Sequence, residues 1–420
     1  MTEKDRRTDI APALRTAAGR FGTPLYVTDA TALHDAVEEL RAAFPDPWIR
    51  QYSVKANDVA AIVARLGSAG LGANVVSRGE WSVARRAGIA NARITLEGVG
   101  KTDADLRAAV RAAAIGDPLR WVAIESAGEA ATLAEIARRA RTSLDVLLRL
   151  NPAVEPETQP GLAVGAGSSK FGLADDELAG AIEAGGGADG PLRWRGIHLH
   201  VGSQLGAVDA WRDAVRRALA LGALLGGGLP GFDTLDIGGG FPVPGAGDVA
   251  PRPERFAREL PALLEAVPAD RRPSRLAVEP GRFLVARAGW LVARVLHVRD
   301  RGGRMAVLDA GMTELIRPAL YGARHAIVAL TSLGRPANAA AATDDQVDVH
   351  GPICESTDEL GWHALPPLRR GDLVAVGHAG AYGASLASTY NGRPRPPQVI
   401  LETDGRLTLA RRRGSTGSLG

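Results

Sequence analysis

A single cysteine, Cys354, stands in the whole chain, so no disulfide can form within it. Long apolar runs are also missing. No stretch approaches a membrane span, and the N-terminus is charged, with Glu3, Lys4, Asp5, Arg6 and Arg7. A soluble, cytoplasmic protein with no membrane partner is therefore expected. Charge of one sign is lacking too. A net charge of +3 is too small for the basic surface of a nucleic-acid binder, and the cluster Arg411-Arg412-Arg413 reads as a solvated tail. What remains is a globular composition, 45% hydrophobic and 23% charged, in a chain of 420 residues that can build two domains. The 51 glycines suit close packing and many turns.

Eight short β-like runs alternate with helical patterns: Trp48 to Val54, Ala73 to Val76, Arg93 to Leu96, Trp121 to Ile124, Asp145 to Leu150, Gly196 to Val201, Thr234 to Ile237 and Leu276 to Val278. This alternation predicts a (β/α)8 TIM barrel over residues 30–280, with its chemistry at the C-terminal strand ends. Lys55, Ser77, Glu125, Arg149, His200, Gly238 and Glu279 all fall at or close to those ends. After about residue 283 the runs are short and alternating. They are Trp290 to Val298, Arg304 to Leu308, Gln346 to Val349, Asp372 to Val376, Gln398 to Leu401 and Leu407 to Ala410, with turns between them. They predict an antiparallel β domain, a barrel or sandwich built from 1–29 and 281–420, which the early strand Pro24 to Val27 joins. The Ala-rich stretch 334–345 reads as a mobile loop.

Lys55 lies in Tyr52-Ser53-Val54-Lys55-Ala56-Asn57, at a buried strand end, where burial and cationic neighbours favour a neutral amine able to form a Schiff base; a salt bridge at the barrel mouth is the bland alternative. His198 and His200 alternate along one strand and share a face. A flat imidazole there can stack on a cofactor ring, and Ser203 can donate to a phosphate. A zinc pair would need further Cys, Asp or His ligands, and none sits at ligand spacing nearby, so no metal is expected. A pair of ordinary core histidines is the other possibility. Gly238-Gly239-Gly240 lets backbone N–H groups approach an anion, although many such runs are plain turns; no Gly-Lys-Ser/Thr follows to make a nucleotide loop. Glu279, in Val278-Glu279-Pro280-Gly281-Arg282, places a carboxylate at the last barrel strand, where it can hold a proton on a ring nitrogen, while Gly281 and Arg282 add phosphate donors. A lysine at a strand end, a flat stacking partner, a phosphate cradle and a carboxylate together describe a pyridoxal 5'-phosphate site. Cys354 sits between Pro352 and Glu355, an odd place for a core thiol, and could protonate a carbanion. Tyr382, in Gly380-Ala381-Tyr382-Gly383, could bond a phosphate or be a surface turn tyrosine.

In this order the motifs resemble the fold-type III pyridoxal phosphate-dependent amino-acid decarboxylases, most closely the diaminopimelate decarboxylase branch. The resemblance runs from Thr23-Pro24-Leu25-Tyr26-Val27 to Asn391-Gly392-Arg393-Pro394. It rests on Tyr-Ser-Val-Lys-Ala-Asn, Val-Val-Ser-Arg-Gly-Glu (75–80), Gly-Val-Gly-Lys-Thr (98–102), His-Val-Gly-Ser-Gln (200–204), Gly-Gly-Gly-Phe, Glu-Pro-Gly-Arg, Arg-Pro-Ala-Leu-Tyr-Gly (317–322), Cys-Glu-Ser and Gly-Ala-Tyr. It implies that Lys55 carries pyridoxal phosphate, that His200 stacks on the ring and that Glu279 faces its nitrogen. Ser203, Gly238, Gly239, Gly240, Gly281, Arg282 and Tyr382 would line the cofactor, mostly around its phosphate. Arg282, Arg317, Tyr321 and Tyr382 would hold the substrate, with Arg282, Arg317 and Tyr321 on its distal carboxylate and Glu355 on its distal amine. Cys354 and Glu355 would reach into a partner's site, which implies a homodimer. The implied reaction converts meso-2,6-diaminopimelate to L-lysine and CO2. A same-fold decarboxylase of ornithine, lysine, arginine or a carrier-tethered aminoacyl group is the alternative. An alanine-racemase-like enzyme fits His-Val-Gly-Ser and Cys-Glu-Ser less well, and a non-catalytic pyridoxal phosphate carrier has no need of Lys55, Cys354 and Glu279 together. Two departures stand out. Asn74 replaces the family's usual aspartate, and the segment Glu157 to Gly167 lacks its usual Thr-His and Thr-Gly pattern.

Overall fold

The computed structural model describes residues 3–167, 169–243, 250–337 and 346–418. It divides into two compact units. The expected loop at 334–345 lies, from 338 onward, outside the described residues.

The strand β1 (Leu25–Asp29) belongs to the second unit, described below. The first unit is a closed barrel of eight parallel strands: β2 (Ile49–Ser53), β3 (Gly72–Val75), β4 (Ile94–Leu96), β5 (Trp121–Ile124), β6 (Leu144–Leu150), β7 (Leu192–Leu199), β8 (Thr234–Asp236) and β9 (Arg275–Val278). Ile49 pairs with Ala277 and Arg50 with Val278 to close it. Strands such as Trp121-Val122-Ala123-Ile124 are buried throughout, because helices cover a parallel barrel outside and side chains fill it inside. β7 starts four residues earlier than the sequence suggests. Its first turns alternate, with Leu192 and Trp194 buried while Arg193 and Arg195 point outward to Asp145 at 2.6 and 2.9 Å. The apolar run that was legible begins only after that alternation ends.

The helices start where the sequence caps them. Ser77 accepts from the Glu80 N–H and Ser126 from the Glu129 N–H, while Glu80 and Glu129 accept from Val76 N–H and Glu125 N–H. Thr102 and Asp105 form a full capping box on the helix Asp103–Ala114. Each cap pins the loop that leaves a strand end, so the residues at the barrel mouth sit on fixed backbone.

The second unit is a nine-stranded sheet with a small hairpin, β13 (Thr331–Ser332) with β14 (Arg335–Pro336). Its strands are β1, β10 (Gly289–Asp300), β11 (Arg304–Leu308), β12 (Ile327–Ala329), β15 (Gln346–His350), β16 (Glu359–Ala364), β17 (Leu373–Val376), β18 (Gln398–Leu401) and β19 (Leu407–Arg411). Pairing is antiparallel except between β1 and β18 and between β11 and β15. Alternation along β1 and β10 feeds two cores. Tyr26, Leu291 and Ala293 face one, and Leu25, Val27, Trp290 and Val292 the other. The second core is closed by the helix Glu3–Phe21, whose Ile10, Leu14, Ala17 and Ala18 are buried at helical spacing. That helix, β12 and β16 were not foreseen. Among the described residues no helix is long and apolar enough to cross a membrane.

Candidate active site

Lys55 follows β2 in a single 3-10 turn, Val54–Ala56. The turn is fixed from three sides. Ser53 Oγ donates to the Glu279 carbonyl at 2.8 Å, Ser53 N–H to the Pro280 carbonyl at 3.2 Å, and Tyr52 Oη to the Asn57 carbonyl at 2.9 Å. Lys55 is partly buried, and its charge is felt by Glu80, His200 and Glu279.

His200 leaves the end of β7. Its Nδ1 accepts the Gly239 N–H at 3.2 Å, which leaves the ring proton on Nε2. Burial first, and then Lys55, Arg149 and His198, push its pKa well below the usual value, so the ring is neutral at physiological pH. His198 does not share that place. It is fully buried inside the barrel, its Nε2 3.3 Å from Glu279 Oε2 and 3.6 Å from Glu97 Oε1. Sequence spacing offers no Cys, Asp or further His beside this histidine, and in space two glutamates meet it.

The glycine run after β8 is a steric device as much as a donor set. Gly238 N–H donates to Asp236 and Gly239 N–H to His200, so Gly240 is left with the run's one N–H that has no acceptor among the described residues. A side chain on Gly238 would collide with the Leu199 carbonyl, on Gly239 with the Glu279 carbonyl and on Gly240 with the Gly202 carbonyl. Gly240 also has φ +96°. Beside the run, Arg282 Nε and Nη2 donate to Ser203 Oγ at 3.2 and 3.1 Å. Gly281 packs tightly on Ser53 and Ala56, so the Glu-Pro-Gly-Arg loop lies directly on the Lys55 turn. The segment 157–167 lies along the His-Val-Gly-Ser loop. Leu162 carbonyl accepts from Ser203 N–H, and Thr158 Oγ1 donates to the Ser203 carbonyl.

Glu279 and Glu97 are both buried. Asn74 Nδ2 donates to Glu97 Oε2 at 2.8 Å. Burial lifts Glu279 well above the ordinary carboxylate range and does the same for Asp236. Sequence reading missed Glu97 and Asp236. Each stands at a barrel strand end behind an apolar run, the signal used for Glu279. The mouth also holds a buried ion network, with Arg149 on Glu125 at 2.7 Å and Lys101 on Glu129 at 2.9 Å.

The second unit carries the remaining candidates. Arg317, buried, points Nη1 at His325 Nε2 at 2.9 Å, and His325 Nδ1 donates to the Gly377 carbonyl at 3.0 Å, which orients the guanidinium. Tyr321 ends the helix Arg317–Tyr321 and is half-buried. Cys354 and Glu355 are exposed, and Asn391 and Tyr390 bond to them at 3.4 and 2.6 Å respectively. Tyr382 has φ +56°, a strained backbone of the kind that gathers at functional sites.

The family model described as "Pyridoxal-dependent decarboxylase, pyridoxal binding domain" matches residues 31–286. The chain belongs to the pyridoxal-dependent decarboxylases. Diaminopimelate decarboxylase of Aquifex aeolicus is 37% identical over 406 residues, 96% of this chain and 91% of that one. The same enzyme of Deinococcus radiodurans is 38% identical over 389 residues, 92% of each. A solved diaminopimelate decarboxylase from Helicobacter pylori, complexed with L-lysine, is 29% identical with a TM-score of 0.84, covering 94% of this chain and 95% of that one. This decarboxylase is thus a pyridoxal phosphate-dependent carboxy-lyase. Its barrel residues fit the cofactor. A glycine cradle that any side chain would fill lies next to Ser203 and Arg282, and Glu279 Oε1 is buried with no donor among the described residues. A neutral imidazole and a partly buried lysine stand on the same mouth.

Proposed function

We propose that this decarboxylase converts meso-2,6-diaminopimelate to L-lysine and CO2. The observation that carries the reading is the agreement, over more than nine-tenths of the chain, with enzymes of that name. Lys55 would hold the cofactor, His200 would cover one face of its ring and Glu279 would face its nitrogen. Ser203, Gly238, Gly239, Gly240, Gly281, Arg282 and Tyr382 would surround it, chiefly at the phosphate. Bound pyridoxal phosphate supplies an electron sink for the pair released when the bond from Cα to the carboxylate breaks.

The chain's own residues prepare that step. A neutral His200 brings no charge to the ring face, and its bond from Gly239 fixes its plane. Arg317, oriented by His325, takes the distal carboxylate together with Arg282 and Tyr321, and Glu355 takes the distal amine. A fixed guanidinium binds a carboxylate in two parallel hydrogen bonds and rejects substrates without one. The Cys354 thiol returns a proton to Cα. We also propose a homodimer in which the exposed Cys354 and Glu355 of one protomer complete the partner's site, and a cytoplasmic setting, which suits a lone free thiol.

Arg317→Met tests the substrate assignment. Removing one partner of a buried charge pair costs about 2–5 kcal/mol, so kcat/KM for diaminopimelate should fall by roughly 30-fold or more. The visible absorbance of the bound cofactor should be unchanged. An unaltered kcat/KM would remove Arg317 from the substrate site.

A further inference from the structure

The reading above gives no role to the buried carboxylate of Glu97 at the barrel mouth. Glu97 follows β4 and is 5% exposed. Its Oε2 is held by Asn74 Nδ2 at 2.8 Å, and its Oε1 lies 3.6 Å from His198 Nε2. The same nitrogen lies 3.3 Å from Glu279 Oε2. One donor atom each from Glu97, His198 and Glu279 all fall within 4.8 Å of one another. Among the described residues, Glu97 Oε1, Glu279 Oε1 and both ring nitrogens of the fully buried His198 have no hydrogen-bond partner of regular geometry. Two carboxyl groups this close, out of water, cannot both stay ionised, and a proton between them satisfies both oxygens at once.

We infer that Glu97 is a positioning residue for Glu279: clamped by Asn74, it shares a proton with Glu279 beside His198 and so sets the charge that Glu279 turns toward the cofactor ring. The inference rests on the reading that Glu279 faces that ring. Asn74 and Glu97 are matched. An amide at 74 donates to Glu97, whereas an aspartate there would set a third carboxylate against it. The charged groups around the pair come from the other strands: Asp236 from β8, His198 from β7, Arg149 from β6 and Lys55 after β2. Burial pushes Glu97 up, but His198, the hydrogen bond with Glu279, Arg149 and Asn74 together bring it down to about 2. Burial and the charge of Glu97 raise the Glu279 pKa well above the ordinary carboxylate range.

The test is an infrared titration of the full-length protein without cofactor, as wild type, Glu97→Gln, Glu97→Asp and Glu279→Gln, paired with the pH dependence of the visible absorbance of each PLP-loaded form. The wild type should show a protonated buried carboxyl at neutral pH that is lost in Glu279→Gln. In Glu97→Gln, Glu279 should ionise lower by about one pH unit or more. The absorbance transition of the loaded protein should move with it, and Glu97→Asp should keep most of the wild-type profile. A folded Glu97→Gln with unshifted Glu279 ionisation and unshifted absorbance would overturn the inference. If Glu97→Gln does not fold, Asn74→Ala, which loosens Glu97 and leaves both carboxyls in place, should shift the same transition by less; no shift there overturns the inference equally. Failure of the wild type to take up PLP would instead overturn the role toward the cofactor, while the infrared arm alone still decides whether the two carboxyls share a proton.

Discussion

At the scale of single residues, the barrel mouth is built from groups whose neighbours forbid their ordinary behaviour. Gly240 combines φ +96° with a carbonyl of Gly202 where a side chain would sit. Gly240→Ala should therefore lower stability by about 1–3 kcal/mol and weaken cofactor uptake, read by thermal unfolding and PLP titration. Wild-type values in both would show that the backbone there is not constrained. The carboxyl cluster makes a pH prediction. The folded pKa of Glu279 is raised above its ordinary 4.5, so its contribution to stability is present below 4.5 and is lost as pH rises through the folded value. Glu97, depressed to about 2, contributes above 4.5 and loses that contribution as pH falls toward 2. The cofactor-free wild type should thus lose stability more steeply than Glu279→Gln as pH rises above 4.5, measured by urea midpoints. Parallel curves would contradict the raised pKa. The positions of Lys55, His200 and Glu279 at barrel strand ends were readable in the sequence because each follows an apolar run. The role of Glu97 was not, because it depends on Asn74, a residue of the neighbouring strand 23 positions away.

At the scale of elements, the loops that leave the strands are tied down by buried charges as well as by caps. Glu125 accepts from Arg149 at 2.7 Å and from Gly172 N–H at 3.3 Å, with side chains almost fully buried. Glu125→Ala leaves the Arg149 guanidinium in a dry site without that carboxylate. Breaking a buried pair in this way should cost about 3–5 kcal/mol, visible in denaturant unfolding. A loss below about 1 kcal/mol would mean that the pair behaves like a surface one. The barrel strands were legible because a strand buried on both faces reads as an unbroken apolar run. The early half of β7 was not, since Arg193 and Arg195 interrupt the run while serving Asp145. The parallel pairing of β1 with β18 was hidden for another reason: the partners lie more than 370 residues apart, and local alternation carries no information about direction. The buried spacing of Ile10, Leu14 and Ala17 is present in the sequence, but the charged residues that precede it mask the apolar face.

At the scale of the whole molecule, the alternation of strands and helices was sufficient to predict the barrel, and the order of the motifs along it was sufficient to suggest the family. The assembly is a proposal that one mixing experiment tests. Lys55→Ala and Cys354→Ala dimers, each inactive or nearly so, should on subunit exchange recover about one quarter of wild-type sites if sites are shared between chains; no recovery after demonstrated exchange would place Cys354 in its own protomer's site or outside any site. The central claim concerns the substrate, and CO2 release by the PLP-loaded protein tests it most directly, with meso-diaminopimelate, lysine, ornithine and arginine in parallel. Release from diaminopimelate alone is predicted. Release from one of the other three, with none from diaminopimelate, would contradict the account.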